Sequence, residues 1–512
     1  MPCHTADSPS FTQAQHPVAK TRPYGLEAWQ CCTASLYRAV RQGLCAICCL
    51  LALQTSPLYA SSSLPTAVRL ALDRAQVTPD AVSIWVQPVD APAPSLIHNA
   101  GTPMNPASVM KLVTAFAAFE QLGPAHIWST RFASTAAITN GTLTGDLYLI
   151  GSGDPVLDQD RVSRMLRRLR GLGIERIAGD IVLDASVLSL PPHNPDAFDG
   201  RGLRPYNSGP YGLLMHYNTQ QLALFPAHSA NEAVTVIAEP ALAGVVIDNR
   251  IVTSGAPCEL WYSDLEARLE PGRRLVLSGS LPGSCGPRTW SAAPLPPAEY
   301  GTALVATLWS EAGGRIGGTV REGTAPAGQS TLISHESPPL ADIVRDMNKW
   351  SSNVIARQLL ATLGTYSGTP TSDAVAKGAE QAQRILAGAG VATEGLVIEN
   401  GSGLSRIERI RAADLGQMLI ATWYRPWMPE FISALPVAGL DGTARRRLGT
   451  SPARGQAHIK TGTINGVRAI AGYVLDRHGR RHAVVMMVNH TNAANTADAQ
   501  DALLEWVWAG KP

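Results

Sequence analysis

"NPASVMKLVTAFAAFEQLG", residues 105–123, sets a serine three positions before a lysine at the head of an apolar segment. Leu112, Phe116 and Phe119 recur at helical spacing, so the stretch reads as an amphipathic helix. Ser108 and Lys111 then share one face near its N-terminus, where free backbone N–H groups point outward. A serine beside a potential base is the minimum for covalent catalysis, yet S-x-x-K recurs by chance and serine is also a common helix cap. The surrounding chain decides between these readings.

Lysine usage is the first guide. Past residue 60 there are five lysines (Lys111, Lys349, Lys377, Lys460 and Lys511), whereas arginine is plentiful. Arginine serves wherever charge alone is needed; a lysine that survives this bias is suited to a place where a compact amine loses its proton on burial. Two more elements follow downstream. "KWSSNVIARQ", residues 349–358, sets Ser351 two before Asn353 on a turn leading into a helix. "HIKTGTINGVRAIAGYV", residues 458–474, opens an edge strand with Lys460, Thr461, Gly462 and Thr463. Such a strand offers alternate backbone groups to an extended peptide, Gly462 permits close approach, and Lys460, Thr461 and Thr463 suit a carboxylate.

Around these motifs, residues 64–77 read as a helix and 81–89 as a strand. From about 131 to 334 the texture becomes short β-like runs between glycines, such as "GTLTGDLYLIGSGDP" and "RRLVLSGSLPGSC". One helix, "DRVSRMLRRLRGLGI", interrupts them, its arginines forming a solvated face. Helices then return, followed by two strands and a closing helix, an α+β pattern split by a long insertion. No fixed-period repeat indicates a solenoid.

Composition narrows the function. A net charge of +2 with 16% charged residues gives no footprint for nucleic acid. Residues 1–60 carry Arg38 and Arg41, an apolar run over 43–53 and Ala60 before a serine cluster, the layout of a secretory signal cleaved near Ala60. Six of the eight cysteines lie in the first 49 residues. Export leaves Cys258 and Cys285, which an oxidising compartment invites to pair; two separate buried thiols are the alternative. No H-E-x-x-H or Cys/His cluster with zinc spacing occurs, so neither metal nor cofactor is expected.

In order, S-x-x-K, S-x-N and K-T-G form the triplet of penicillin-binding proteins and serine β-lactamases. Ser108 and Ser351 stand 243 residues apart, and the chain resembles the low-molecular-mass class C penicillin-binding proteins, the serine D-alanyl-D-alanine carboxypeptidase/endopeptidase family. "GSGDPVL", "RPYNSGPYGLLMHYN", "NGSGLSR", "LPVAGLDGTARRR" and "VVMMVNH" extend the resemblance over the chain past the signal. It implies an α+β penicillin-recognising, transpeptidase-like domain, an antiparallel sheet with helices, formed by residues 61–130 and 335–512 and split by a β-rich insertion at 131–334.

The resemblance also implies roles. Ser108 is the nucleophile, Lys111 its base, Ser351 a proton relay, and Asn353 holds the substrate amide. Lys460, Thr461 and Thr463 bind the terminal carboxylate beside Gly462, and the amides of Ser108 and Thr463 receive the oxyanion. Implied partners are peptidoglycan peptides and β-lactams; a homodimer and peripheral contact with membrane or other wall enzymes stay open. Ser352 and Asn400 stand where the family usually has aspartate, which bears on substrate preference and keeps a non-catalytic, wall-binding scaffold as the rival. The long insertion disfavours a β-lactamase. Asp154, Asp199, Arg204 and Tyr206 are candidates for stem-peptide contact, with turn formation and packing as their simpler roles, and His490 reads as structural.

Overall fold

A computed structural model describes residues 63–366 and 371–511; the signal-like stretch, with Ala60 and the six N-terminal cysteines, lies outside the described residues. Apolar runs at both ends of that range build a five-stranded antiparallel sheet. Its strands are β1 (Val82–Pro88), β2 (Leu96–His98), β3 (Ala457–Ile464), β4 (Val467–Leu475) and β5 (Arg481–Asn489), in the spatial order β2-β1-β5-β4-β3. The early strand β1 pairs along its whole length with the late strand β5, Val82 opposite Val488 and Pro88 opposite His482.

β1 is buried at every position and β5 at all but its two ends, because helices cover both faces of the sheet. Ile84, Val86, Ile470, Val484 and Met486 face α1 (Thr66–Arg74) and the closing helix α10 (Ala497–Trp508). Trp85, Ala471, Tyr473, Val485 and Met487 face the other layer, whose central member is α2 (Lys111–Leu122). α2 is buried continuously from Lys111 to Phe119. It is thus a core helix rather than the amphipathic one its spacing suggests, since a helix enclosed by neighbours needs no polar face.

Between α2 and α5 (Leu340–Trp350) the chain leaves on strand Ser129–Ser134 and returns on Ser330–Glu336, the two paired with Ser129 opposite Glu336. They belong to a mixed five-stranded sheet backed by α3 (Gln159–Gly171) and α4 (Pro297–Glu311). α3 starts at Asp158, whose side chain accepts the Arg161 N–H, and it buries Val162, Met165, Leu166 and Leu169 while Arg164, Arg167 and Arg168 face solvent. α4 is a second helix where the sequence shows one; its run of small and β-branched residues carries almost no polar face to mark it. A small four-stranded sheet and two three-stranded sheets complete the segment, and the latter two share a core of Leu222, Leu224, Ile251, Leu275, Leu277 and Trp290. A Cys258–Cys285 disulfide closes its edge.

α6 (Asn353–Tyr366) and α7 (Ala374–Gly388) cross closely because Gly364 and Gly378 lie at the contact; a Cβ on Gly364 would come within 2.8 Å of the Gly378 nitrogen. α8 (Ala412–Trp423) and α9 (Met428–Ser433) finish the layer, Phe431 and Trp427 packing their rings on Phe119. Among the described residues no helix is long and apolar enough to cross a membrane.

Candidate active site

The turn ahead of α2 is held from three directions. Asn105 Oδ1 accepts the Ala107 N–H at 2.8 Å, and Asn105 Nδ2 donates to the Ser405 carbonyl at 2.9 Å. From the end of β5, the Asn489 side chain accepts the Asn105 N–H at 2.8 Å and donates to its carbonyl at 2.9 Å. Ala107 takes a left-handed φ of 45°, and Ser108 follows in a single turn, Ala107–Met110, that runs into α2. These contacts leave Ser108 half-buried above a Lys111 that is wholly buried.

Lys111 Nζ donates to Ser108 Oγ at 3.1 Å, to Asn353 Oδ1 at 2.7 Å and to the Ser402 carbonyl. All three acceptors are neutral. Burial, then the neighbouring Lys460 charge, and also Arg357, drive the amine's pKa well below that of an ordinary lysine, and Glu408 opposes them. A buried ammonium without a bonded carboxylate sheds its proton readily, and the neutral amine then keeps two N–H donors for Asn353 Oδ1 and the Ser402 carbonyl and offers its lone pair to the Ser108 hydroxyl.

Ser351 ends α5 in the left-handed conformation, φ 59° and ψ 38°. That reversal turns its hydroxyl onto Lys460, whose Nζ donates to Ser351 Oγ at 2.9 Å and to the Thr461 carbonyl at 2.7 Å. Burial brings Lys460 down to about 7. Ser352 Oγ accepts the Ile355 N–H at 3.3 Å and caps α6. Serine and aspartate cap helices about equally well, so this departure keeps the local geometry.

β3 is the edge strand of the central sheet and brings Gly462 against the Ser108 turn. A Cβ on Gly462 would lie 2.6 Å from the Pro106 carbonyl and 3.0 Å from the Ser108 nitrogen, so only glycine lets the strand this close. Thr463 is exposed, and Thr461 Oγ1 meets Thr443 Oγ1 at 2.8 Å. Ser108, Lys111, Ser351, Asn353, Lys460, Thr461, Gly462 and Thr463 therefore gather from α2, the α5–α6 corner and β3.

The middle segment reaches this cluster through its backbone. Asn353 Nδ2 donates to the Tyr206 carbonyl at 3.2 Å, and Arg357 donates to the carbonyls of Tyr206 at 3.2 Å and Ser208 at 2.7 Å. The Tyr206 hydroxyl and Asn207 Nδ2 both donate to Asp199, each at 2.8 Å, and Arg204 lies over the Trp290 ring. Asp154 is buried, accepts the Val156 N–H at 2.9 Å and is pushed up to about 6 by burial. His490 Nδ1 accepts the Asn492 N–H at 3.0 Å, closing a turn. A hollow of about 420 Å³ lies beside the site, lined by Phe198, Arg357, Asn400 and Arg406; one of about 1360 Å³ lies farther off, against Trp290 and Tyr262. Among the described residues no cluster of His, Cys, Asp and Glu could hold a metal ion.

Glu408, Arg357 and the Ser402 carbonyl escape sequence reading. The "NGSGLSR" stretch shapes the last of these: Asn400 Oδ1 accepts from the Ser402 N–H and hydroxyl at 3.0 and 2.6 Å, and its Nδ2 donates to the Leu404 carbonyl at 3.0 Å. A carboxylate in place of Asn400 would lack that last donor. An acid surrounded by arginines, as in "SRIERIR", is the only sequence signal for Glu408, and it resembles a surface pair.

The chain as a whole is similar to known proteins. Residues 67–509 match the D-Ala-D-Ala carboxypeptidase 3 (S13) family. The D-alanyl-D-alanine carboxypeptidase of Actinomadura sp. (strain R39) is 32% identical over 427 residues, covering 79% of this chain and 77% of that protein. The D-alanyl-D-alanine carboxypeptidase DacB of Haemophilus influenzae is 27% identical over 395 residues, covering 77% and 82%. The crystal structure of penicillin binding protein 4 (dacB) from Haemophilus influenzae shares the fold, with a TM-score of 0.73 at 24% identity, covering 87% of this chain and all of that one. A second structure of that protein, complexed with a novel β-lactam, aligns with a TM-score of 0.69 at 25% identity over 83% and 96%.

Proposed function

The chain belongs to the D-Ala-D-Ala carboxypeptidase 3 (S13) family, and from that premise we propose that Ser108 carries the acyl group in hydrolysis of D-Ala-D-Ala stem peptides, of their crosslinks, or of both. Neutral Lys111 takes the Ser108 proton as Oγ attacks the carbonyl of the penultimate D-alanine. The oxyanion settles between the amides of Ser108 and Thr463, and Ser351 delivers a proton to the departing amine. Lys460, with Thr461 and Thr463, holds the terminal carboxylate, while Asn353 fixes the substrate amide. Water then attacks the ester and returns Ser108. A β-lactam presents the same carboxylate and a strained amide, and so acylates the same oxygen.

The observation that carries this reading is the 3.1 Å contact between Ser108 Oγ and a wholly buried Lys111 amine. We assign residues 61–130 and 335–512 to the catalytic domain and 131–334 to the insertion, a division supported by the pairing of β1 with β5 across the gap. Export, with cleavage near Ala60, fits a substrate that lies outside the cytoplasm. Incubation with a pentapeptide ending in D-Ala-D-Ala should release free D-alanine. Release undiminished in Ser108→Ala would sink the assignment, and no release by the native chain would leave the scaffold reading in its place.

A further inference from the structure

Glu408 has no part in the chemistry above, yet it is a wholly buried acid next to the reacting lysine. Its Oε1 accepts the N–H groups of Glu399 at 3.2 Å, Asn400 at 3.0 Å and Gly401 at 2.9 Å. Those three amides belong to the loop that next presents the Ser402 carbonyl to Lys111 Nζ, while the Gly401 carbonyl takes the Thr114 hydroxyl of α2 at 2.7 Å. The loop lies hard against the nucleophile's turn, where a Cβ on Gly403 would run into the Ala107 carbonyl. Glu408 thus folds the segment that grips the base, although it lies 297 residues from Lys111 along the chain.

We propose that Glu408 is a positioning residue for acylation: its buried carboxylate shapes the 399–402 loop around the Lys111 amine and places a negative charge behind the group that takes the Ser108 proton. The proposal rests on Lys111 being that base. Burial, Lys460 on β3 and Arg357 on α6 all weaken the amine's hold on a proton, and Glu408 is the charge that strengthens it. A base too weak is a poor acceptor for a serine proton, so an opposing charge raises the rate.

Burial favours the neutral form of Glu408, as does the nearby Glu399 charge; three amide N–H groups favour the carboxylate. Oε2 is buried without a hydrogen-bond partner, so the contacts that bear on the charge are those at Oε1. On balance burial raises the Glu408 pKa above the ordinary carboxylate range, and the three N–H groups converging on Oε1 are the contacts that hold a charge there. Arg357 provides its counter-charge and also binds the Tyr206 and Ser208 carbonyls, so one charge cluster touches both the base and the insertion.

The test is the pH profile of acylation by a chromogenic β-lactam for the native chain, Glu408→Gln, Glu408→Asp and Lys111→Arg. Glu408→Gln keeps an oxygen for the loop amides but removes the charge, and its acid limb should move down by about half to one pH unit with a lower plateau. Glu408→Asp keeps the charge, so its limb should stay in place while the plateau drops as the loop loosens. An acid limb unmoved in Glu408→Gln, or moved equally in both variants, overturns the proposal. Should Glu408→Gln fail to fold, a displaced limb in Glu408→Asp overturns it and a fixed limb supports it. Normal acylation by Lys111→Arg would instead overturn the assignment of the base, and is thereby distinguished from failure of the Glu408 proposal.

Discussion

The cleft and the inserted segment use positive charge in opposite ways. In the insertion, Arg250 and Arg274 both reach Asp248 at 2.6 Å, and Arg321 reaches Asp180 at 2.6 Å, each arginine about half exposed. In the cleft, Lys111 and Lys460 are fully buried and bonded to hydroxyls, a side-chain amide and carbonyls. Exposed pairs contribute little because water and salt screen them. Buried amines without a bonded carboxylate are costly to keep charged, and that cost is what suits Lys111 to the base role proposed for it. Under the proposed mechanism, the same formal charge decorates one region and reacts in the other.

The sharpest way to break this contrast is Lys111→Arg, which keeps the charge and discards the base. Acylation by a fluorescent penicillin should fall about a thousandfold, and a variant that labels normally would erase the distinction. Gly462→Val comes next: its side chain would meet the Pro106 carbonyl and the Ser108 amide. By displacing β3 from the nucleophile it should slow acylation about tenfold to a hundredfold while the chain still folds. Normal acylation by that variant would mean that close approach of the strand is dispensable.

Smaller effects belong to the insertion. Replacing Cys258 and Cys285 by serine opens a bridge spanning 27 residues. The chain-entropy model puts the loss at about 3 to 4 kcal/mol. Limited proteolysis should then cut the strands around 246–282 sooner, with the acylation rate unchanged; a large fall in acylation would mean that this edge supports the cleft. Asp248→Asn removes the partner of two exposed arginines and should leave the melting temperature within about 1 °C. A larger drop would place surface pairing, rather than core packing, in charge of that sheet.

How far the sequence reveals this protein depends on the range of the interactions involved. The three motifs are legible because each packs its chemistry into three or four residues, and lysine scarcity marks Lys111 and Lys460. It also marks Lys349, which instead pairs with Asp441 at 2.6 Å beside the α5–α6 corner, so scarcity alone does not single out a base. Ser352 and Asn400 look like departures in the chemistry when read as letters. In three dimensions one caps α6 and the other folds the loop behind Lys111. α4 is hidden by its weak polar face, and the enclosure of α2 depends on α8, α9 and β5 arriving from the far end of the chain. Glu408 is hidden most thoroughly, because nothing local distinguishes a buried acid from one paired on the surface.

Intact-protein and peptide mass spectrometry after brief exposure to benzylpenicillin tests the central claim most directly. One penicilloyl group on the peptide that contains Ser108, absent from Ser108→Ala, is the expected result. An adduct that persists in Ser108→Ala, or that maps to another residue, would contradict it.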